Sequence, residues 1–188
     1  MEQTVDLELG WIQRIAKGDR DAFEKLYTTY QTRIFRYLLR MTGNAGSAEE
    51  LTNDTMVAAW KSAASFKGQS KASTWLFAIA RNKALNSMRR VQPVTVEIDP
   101  SLGLATADGN PERALHEGIL RDQMKQALAQ LSPEHREVVE LTFYQGFSYQ
   151  EIAEIMQCPV NTVKTRLFYA KKKLQEFLEG RGFGGEMP

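Results

Sequence analysis

An all-α fold of two small helical domains joined by a flexible linker, the second carrying a helix-turn-helix, is what this sequence predicts, and three observations carry the reading. Apolar residues recur at helical spacing through most of the 188 residues, while alternating strand patterns are nearly absent. Between Gln92 and Pro111 that periodicity lapses into a stretch with three prolines and several acids, longer than the usual connection inside a compact domain. From Ser148 to Leu174 the chain reads as two helices meeting at a tight turn.

The elements follow in order. A first helix is expected over Leu7–Lys17, ended by Gly18 and Asp19, and a second over Ala22–Met41, with Phe23, Leu26, Tyr30, Ile34 and Tyr37 among those available for packing. Gly43–Gly46 reads as a loop, because Asn and Gly tolerate left-handed backbone angles. A third helix starts near Ser47, read as an N-cap with Glu50 in the capping-box position, and runs to about Ala63. The fourth runs from near Ser73 to Arg90. In the linker, Val94–Ile98 is the one short apolar piece, read as sticky coil ahead of a segment that docks extended on a partner. A fifth helix over Glu112–Gln130 leads into a sixth over Glu134–Tyr144, with Ser132 capping and Pro133 in the first turn. Gly146 and Phe147 close it, and Ser148 caps the first helix-turn-helix element.

Within that motif Ile152, Ala153 and Met156 turn inward, Cys158 and Pro159 break the first helix, and the second begins at Val160. A proline just before a helix supplies a suitable φ and needs no amide partner. Val160, Val163, Leu167, Ala170 and Leu174 then form one apolar stripe. The other face offers Asn161, Lys164, Thr165, Phe168, Tyr169 and Lys172, groups suited to base edges, phosphates and thymine methyls. No acid interrupts Ile155–Gln175, which holds five Lys or Arg. A basic amphipathic helix alone is usually solvated surface; the turn chemistry, the stripe and the missing acids together mark a DNA-binding element. The motif does not name a function, since repressors and activators share it.

A hydrophobic content of 43% over this length suits two domains near the lower size at which one core suffices. The net charge of +1 hides an asymmetry: no Asp or Glu occurs between Thr55 and Val96, a stretch that carries Lys61, Lys67, Lys71, Arg81, Lys83, Arg89 and Arg90. Cys158, the only cysteine, has no partner for an intrachain disulfide or a Cys-rich metal site and reads as a small apolar residue. No apolar run approaches the ~20 residues needed to cross a membrane, so no membrane insertion and a cytoplasmic location are expected. His116 and His135 are far apart in sequence, no Cys/His ligand spacing occurs, and there is no phosphate-binding Gly loop; no catalytic residues, metal or cofactor are therefore expected.

On the third helix Glu50, Asn53, Asp54, Val57 and Lys61 share one stripe at 100° per residue, a polar face with an exposed valine suited to a partner. The segment that follows places Phe66, Trp75 and Phe77 among cations, a composition suited to unstacked single-stranded bases. Leu76 and Ile79 are assigned to the core.

These residues carry a resemblance. AEELTNDTMVAAWKSAASFKGQSKASTWLFAIARNKALNSMRR resembles region two of bacterial extracytoplasmic-function sigma factors, and LSPEHREVVELTFYQGFSYQEIAEIMQCPVNTVKTRLFYAKKKL resembles their region four. The resemblance implies a specificity subunit of RNA polymerase and no enzyme. It implies a region two over 1–91, a linker over 92–111, a region four over 112–180 and a tail over 181–188. Core RNA polymerase would meet Glu50, Asn53 and Asp54. The downstream promoter element, as single strand, would meet the loop Phe66, Lys67, Gly68, Gln69, Ser70, Lys71 and Ala72, with Asn82 behind it. The upstream element, as duplex, would be read by Lys164, Thr165, Phe168 and Tyr169, with Arg166, Lys171 and Lys172 on phosphates. An anti-sigma factor is implied as a further partner. The chain departs from the family pattern at Ala72, where an aromatic is common, and at Tyr169, where a basic residue is frequent. The alternative is a stand-alone helix-turn-helix regulator, which would bind duplex by itself as a dimer.

Overall fold

The regular elements of the computed structural model are all helical among the residues it describes, 2–90, 123, 124 and 126–180. They are α1 (Glu2–Ile15), α2 (Arg20–Thr42), α3 (Ala45–Ser62) with a 3-10 turn at Ala63–Ser65, α4 (Ala72–Arg90), α5 (Pro133–Val139) with a π-helical turn at Glu140–Tyr144, α6 (Tyr149–Met156) and α7 (Val160–Glu179). Residues 126–129 are also helical, within the span of the expected fifth helix. The linker 92–111 with its Val94–Ile98 piece, most of the fifth helix, and the tail 181–188 lie outside the described residues. Two compact units are present: α1–α4 and residues 150–158 belong to one, and residues 126–149 and 159–180 to the other.

In the first unit the junctions between α1, α2 and α3 have local chemical causes. Gly18 takes φ +89° after α1, and the Asp19 carboxylate then accepts the Ala22 N–H at 3.0 Å to cap α2. That bond, with the Arg14 guanidinium 2.7 Å away, holds the Asp19 pKa below its ordinary value. On α2 the buried residues Ala22, Leu26, Tyr30, Ile34, Tyr37 and Leu38 fall three or four apart, so one stripe faces the other helices. α2 ends at Gly43, whose left-handed φ of 68° lets its N–H reach the Leu39 carbonyl at 2.8 Å.

The N-cap of α3 is Asn44, not Ser47. The left-handed turn at Gly43 brings the Asn44 Oδ1 within 2.8 Å of the Ser47 N–H, so Ser47 is already inside the helix and its amide is the one being capped. The four-residue loop expected at 43–46 is accordingly reduced to Gly43 and Asn44. Thr52 and Thr55 are buried, and their hydroxyls donate to the carbonyls of Ala48 and Leu51, which satisfies them inside an apolar core. Tyr37 of α2 and Phe77 of α4 are fully buried with ring centroids 5.2 Å apart, a pair worth about 0.5–1.5 kcal/mol beyond its area burial. Burial and a 2.7 Å hydrogen bond to the Glu8 carboxylate push the Tyr30 phenol well above its ordinary pKa.

In the second unit Ser132 caps α5 by accepting the His135 N–H at 3.3 Å, with Pro133 in the first turn. Arg136 donates to the carbonyls of Leu128 and Leu131, closing the C-terminal end of the preceding helical residues. The sixth helix does not stay α-helical to Tyr144: it widens into a π-turn in which Leu141 is buried while Phe143 and Tyr144 are exposed. Gly146 at φ +72° then ends it. α7 packs on α5 and buries Val163, Leu167 and Ala170.

Candidate nucleic-acid interface

The turn between α6 and α7 is three residues long. Gln157 takes φ +53°, the Cys158 N–H returns to the Ala153 carbonyl at 3.1 Å, and the Pro159 carbonyl accepts from Thr162 at 2.9 Å to start α7. Ile152, Ala153 and Met156 are buried as expected, and Ile155 joins them. Pro159 has no side-chain acceptor, so no side-chain cap covers the start of α7, while the Thr162 and Val163 N–H groups both donate to the Pro159 carbonyl. Along α7 Lys164, Thr165, Phe168, Tyr169, Lys171 and Lys172 are exposed. Phe168 and Tyr169, 64% and 53% exposed, meet edge to face at 5.5 Å and form an apolar step among the lysines. Not every member is equally available. The Thr165 hydroxyl donates to the Asn161 carbonyl, Lys171 lies over the exposed Phe143 ring at 5.4 Å, and Lys172 is 3.9 Å from Glu176. Arg166 is half-buried and its charge acts on Glu134, whose pKa is lowered chiefly by a backbone N–H bond.

On α3 Glu50, Asn53 and Asp54 are exposed together with Val57, while Leu51, Thr55 and Met56 on the opposite side are buried. The stripe has partners that sequence reasoning missed. Tyr27 of α2 donates to Asn53 Oδ1 at 3.2 Å, and Lys83 of α4 is 3.2 Å from Asp54 Oδ2. Nothing local announces these pairs, which join residues 26 and 29 positions apart.

After the 3-10 turn, Phe66 is extended and Gly68 takes φ +68°. The Phe66 and Trp75 rings lie 4.8 Å apart, tilted by 36°, which leaves a half-buried aromatic pair beside the exposed Lys67, Gly68 and Gln69. Ser70 is half-buried and Ala72, the first residue of α4, is buried, so it shapes the loop rather than presenting a contact. Lys71 is 2.9 Å from Glu151 within the same unit. Asn82 is exposed on α4. Phe77, grouped in the sequence reading with the aromatics of a stacking platform, is wholly buried against Tyr37 and belongs to the core.

Two family descriptions match this chain: Sigma-70 region 2 over residues 26–93 and Sigma-70 region 4 over residues 121–174. The RNA polymerase sigma factor YlaC of Bacillus subtilis is 36% identical over 159 residues, covering 84% of this chain and 92% of the relative. The ECF RNA polymerase sigma factor SigW of the same organism is 32% identical, covering 89% and 94%. The chain belongs to the extracytoplasmic-function sigma factors. As a member of that family it is a DNA-binding transcription initiation factor that directs core RNA polymerase to promoters, and the alternative of a stand-alone regulator falls. Among solved structures, the sigma factor RpoE of Bartonella quintana, determined with the anti-sigma factor NepR, superposes with a TM-score of 0.65 at 29% identity, covering 84% of this sigma factor and 96% of that one. CnrH, solved with the cytosolic domain of CnrY, shares the fold at a TM-score of 0.69 and 21% identity. No helix among the described residues of the sigma factor is long and apolar enough to cross a membrane.

Proposed function

We propose that residues 1–91 act as region two, 92–111 as a linker and 112–180 as region four, and that the sigma factor docks on core RNA polymerase through Glu50, Asn53 and Asp54. The observation that carries this reading is the continuous exposed stripe around Val57, on a helix whose other side is core. The loop from Phe66 to Ala72, with Asn82, captures the single-stranded downstream element. Extruding a base costs a few kcal/mol, and a preformed aromatic pair with flanking cations is suited to offset it. On α7, Lys164, Thr165, Phe168 and Tyr169 read the duplex upstream element, and Arg166, Lys171 and Lys172 hold phosphates. The protein supplies positioning and strand capture and catalyses no bond change of its own; it acts where the polymerase and chromosome are, in the cytoplasm. An anti-sigma partner of the kind that the Bartonella quintana relative binds would control it by covering the docking stripe.

Run-off transcription with core polymerase on fragmented genomic DNA tests the reading. Specific starts that need the protein and vanish with Asp54→Arg are expected. The substitution also breaks the pair with Lys83, but an exposed pair contributes at most about 1 kcal/mol, so the fold survives. Full activity of Asp54→Arg would remove the proposed docking surface.

A further inference from the structure

Between α1 and the loop that follows α3 lies a cavity of about 400 Å³, within the ~300–1,000 Å³ range of small-molecule sites. One wall is Ala63, Phe66, Lys67 and Gly68, and the other is α1, through Leu9, Ile12, Gln13 and Lys17. Contact between the walls is close: a Cβ on Gly68 would stand 3.3 Å from Leu9 Cδ1. Buried Ile12 and Ala63 make the floor apolar, and no acid lines the cavity. Gln13, Lys17 and Lys67 are exposed at the rim, and none of their side chains makes a hydrogen bond or ion pair with another described residue. Gln13 and Lys17 are four residues apart, one above the other on a single helix face. The Sigma-70 region 2 match begins only at residue 26, so α1 lies outside it.

We propose that α1 forms half of the pocket for one unstacked base of the single-stranded promoter strand, with Gln13 reading the edge of that base and Lys17 and Lys67 holding the flanking phosphates. The inference rests on the reading of the Phe66–Ala72 loop as the strand-capturing element. An apolar floor with an aromatic neighbour accepts the face of any base, so it supplies affinity without choice. A planar amide at the rim offers a donor and an acceptor side by side, which is what choice among bases requires. The two lysines, in a lining without acids, supply the sequence-independent part.

The test uses holoenzyme reconstituted from core polymerase and the full chain, on a promoter library randomised across the downstream element, with transcripts sequenced. Gln13→Ala is expected to flatten the base preference at one position by at least about fivefold, leaving the other positions unchanged. Gln13→Glu, which removes the donor, shifts the preference at that same position toward bases that present an amino group. Lys17→Ala lowers opening on all sequences alike. Unchanged preferences with both Gln13 variants, alongside impaired opening by Lys67→Ala, overturn the role of α1 and leave the loop reading standing. Wild-type opening by both Lys67→Ala and Phe66→Ala overturns the loop reading itself. Thermal melting shows that each variant is folded; substitutions at exposed positions 13, 17 and 67 should move stability little.

Discussion

Gly68→Ala isolates the backbone of the downstream-element loop from everything around it. Gly68 sits at φ +68°, where an L-residue costs about 1–2 kcal/mol. The added methyl would also meet Leu9 Cδ1 at 3.3 Å, but that atom is the end of a flexible side chain and can move by a few tenths of an ångström. The backbone angle therefore dominates. A cost of about 1–2 kcal/mol lowers the equilibrium constant for the observed loop by about five- to 30-fold. The glycine is exposed and lies outside the Tyr37–Phe77 core, so the loop yields before the fold does. Open-complex formation, followed by permanganate reactivity of unpaired thymines, should fall by up to that factor while the melting temperature stays nearly constant. Gly68→Asn, which tolerates the left-handed region, should recover much of the loss. Leu9→Ala in the Gly68→Ala background should recover little. Wild-type opening by Gly68→Ala would refute the idea that this loop conformation matters, and full rescue by Leu9→Ala would show that space, not φ, was limiting.

Other consequences are equally concrete. Thr74 Oγ1 is buried with no hydrogen-bond partner, so Thr74→Val should raise stability by about 1 kcal/mol in urea unfolding. Ser132→Ala removes the α5 cap and should lower stability of the second unit by about 0.5–2 kcal/mol, read in the same way. Asp19 titrates below its ordinary 3.8 in the folded state, so its contribution is present above about pH 4 and is lost as pH falls through the folded value. The melting-temperature advantage of wild type over Asp19→Asn, which keeps the cap but not the charge, should accordingly vanish on acidification below that point. Lys172→Ala should weaken duplex binding evenly across sequences and reduce the magnitude of the salt slope by about 0.9; a change in sequence preference would contradict its place as a phosphate contact.

Much of the molecule is legible in its sequence because helices write their faces locally. The inward set of α6, the apolar stripe of α7, the break at Cys158 and Pro159, the Ser132 cap and the exposed face of α3 all follow from spacing within a few turns. Local signals mislead where two readings are chemically equivalent. Asn44 and Ser47 are both good caps, and only the left-handed turn at Gly43 selects the first. Phe77 has the same composition signal as Phe66, yet one is core and the other sits at the surface beside a cavity. The π-turn at Glu140–Tyr144, which exposes Phe143 and Tyr144, has no local mark that separates it from an α-helix.

By itself, then, the sequence determined the helical class, the helix-turn-helix and the family, since periodicity, turn residues and motif order are properties of short windows. Tertiary structure alone decided what stands beside what. The partners of the α3 stripe, Tyr27 and Lys83, and the seating of Gly68 on Leu9 join residues separated by 26 to 59 positions. Such pairs are created by packing one helix against another, and the chain carries no record of them until the apolar stripes of α1 to α4 have been buried together.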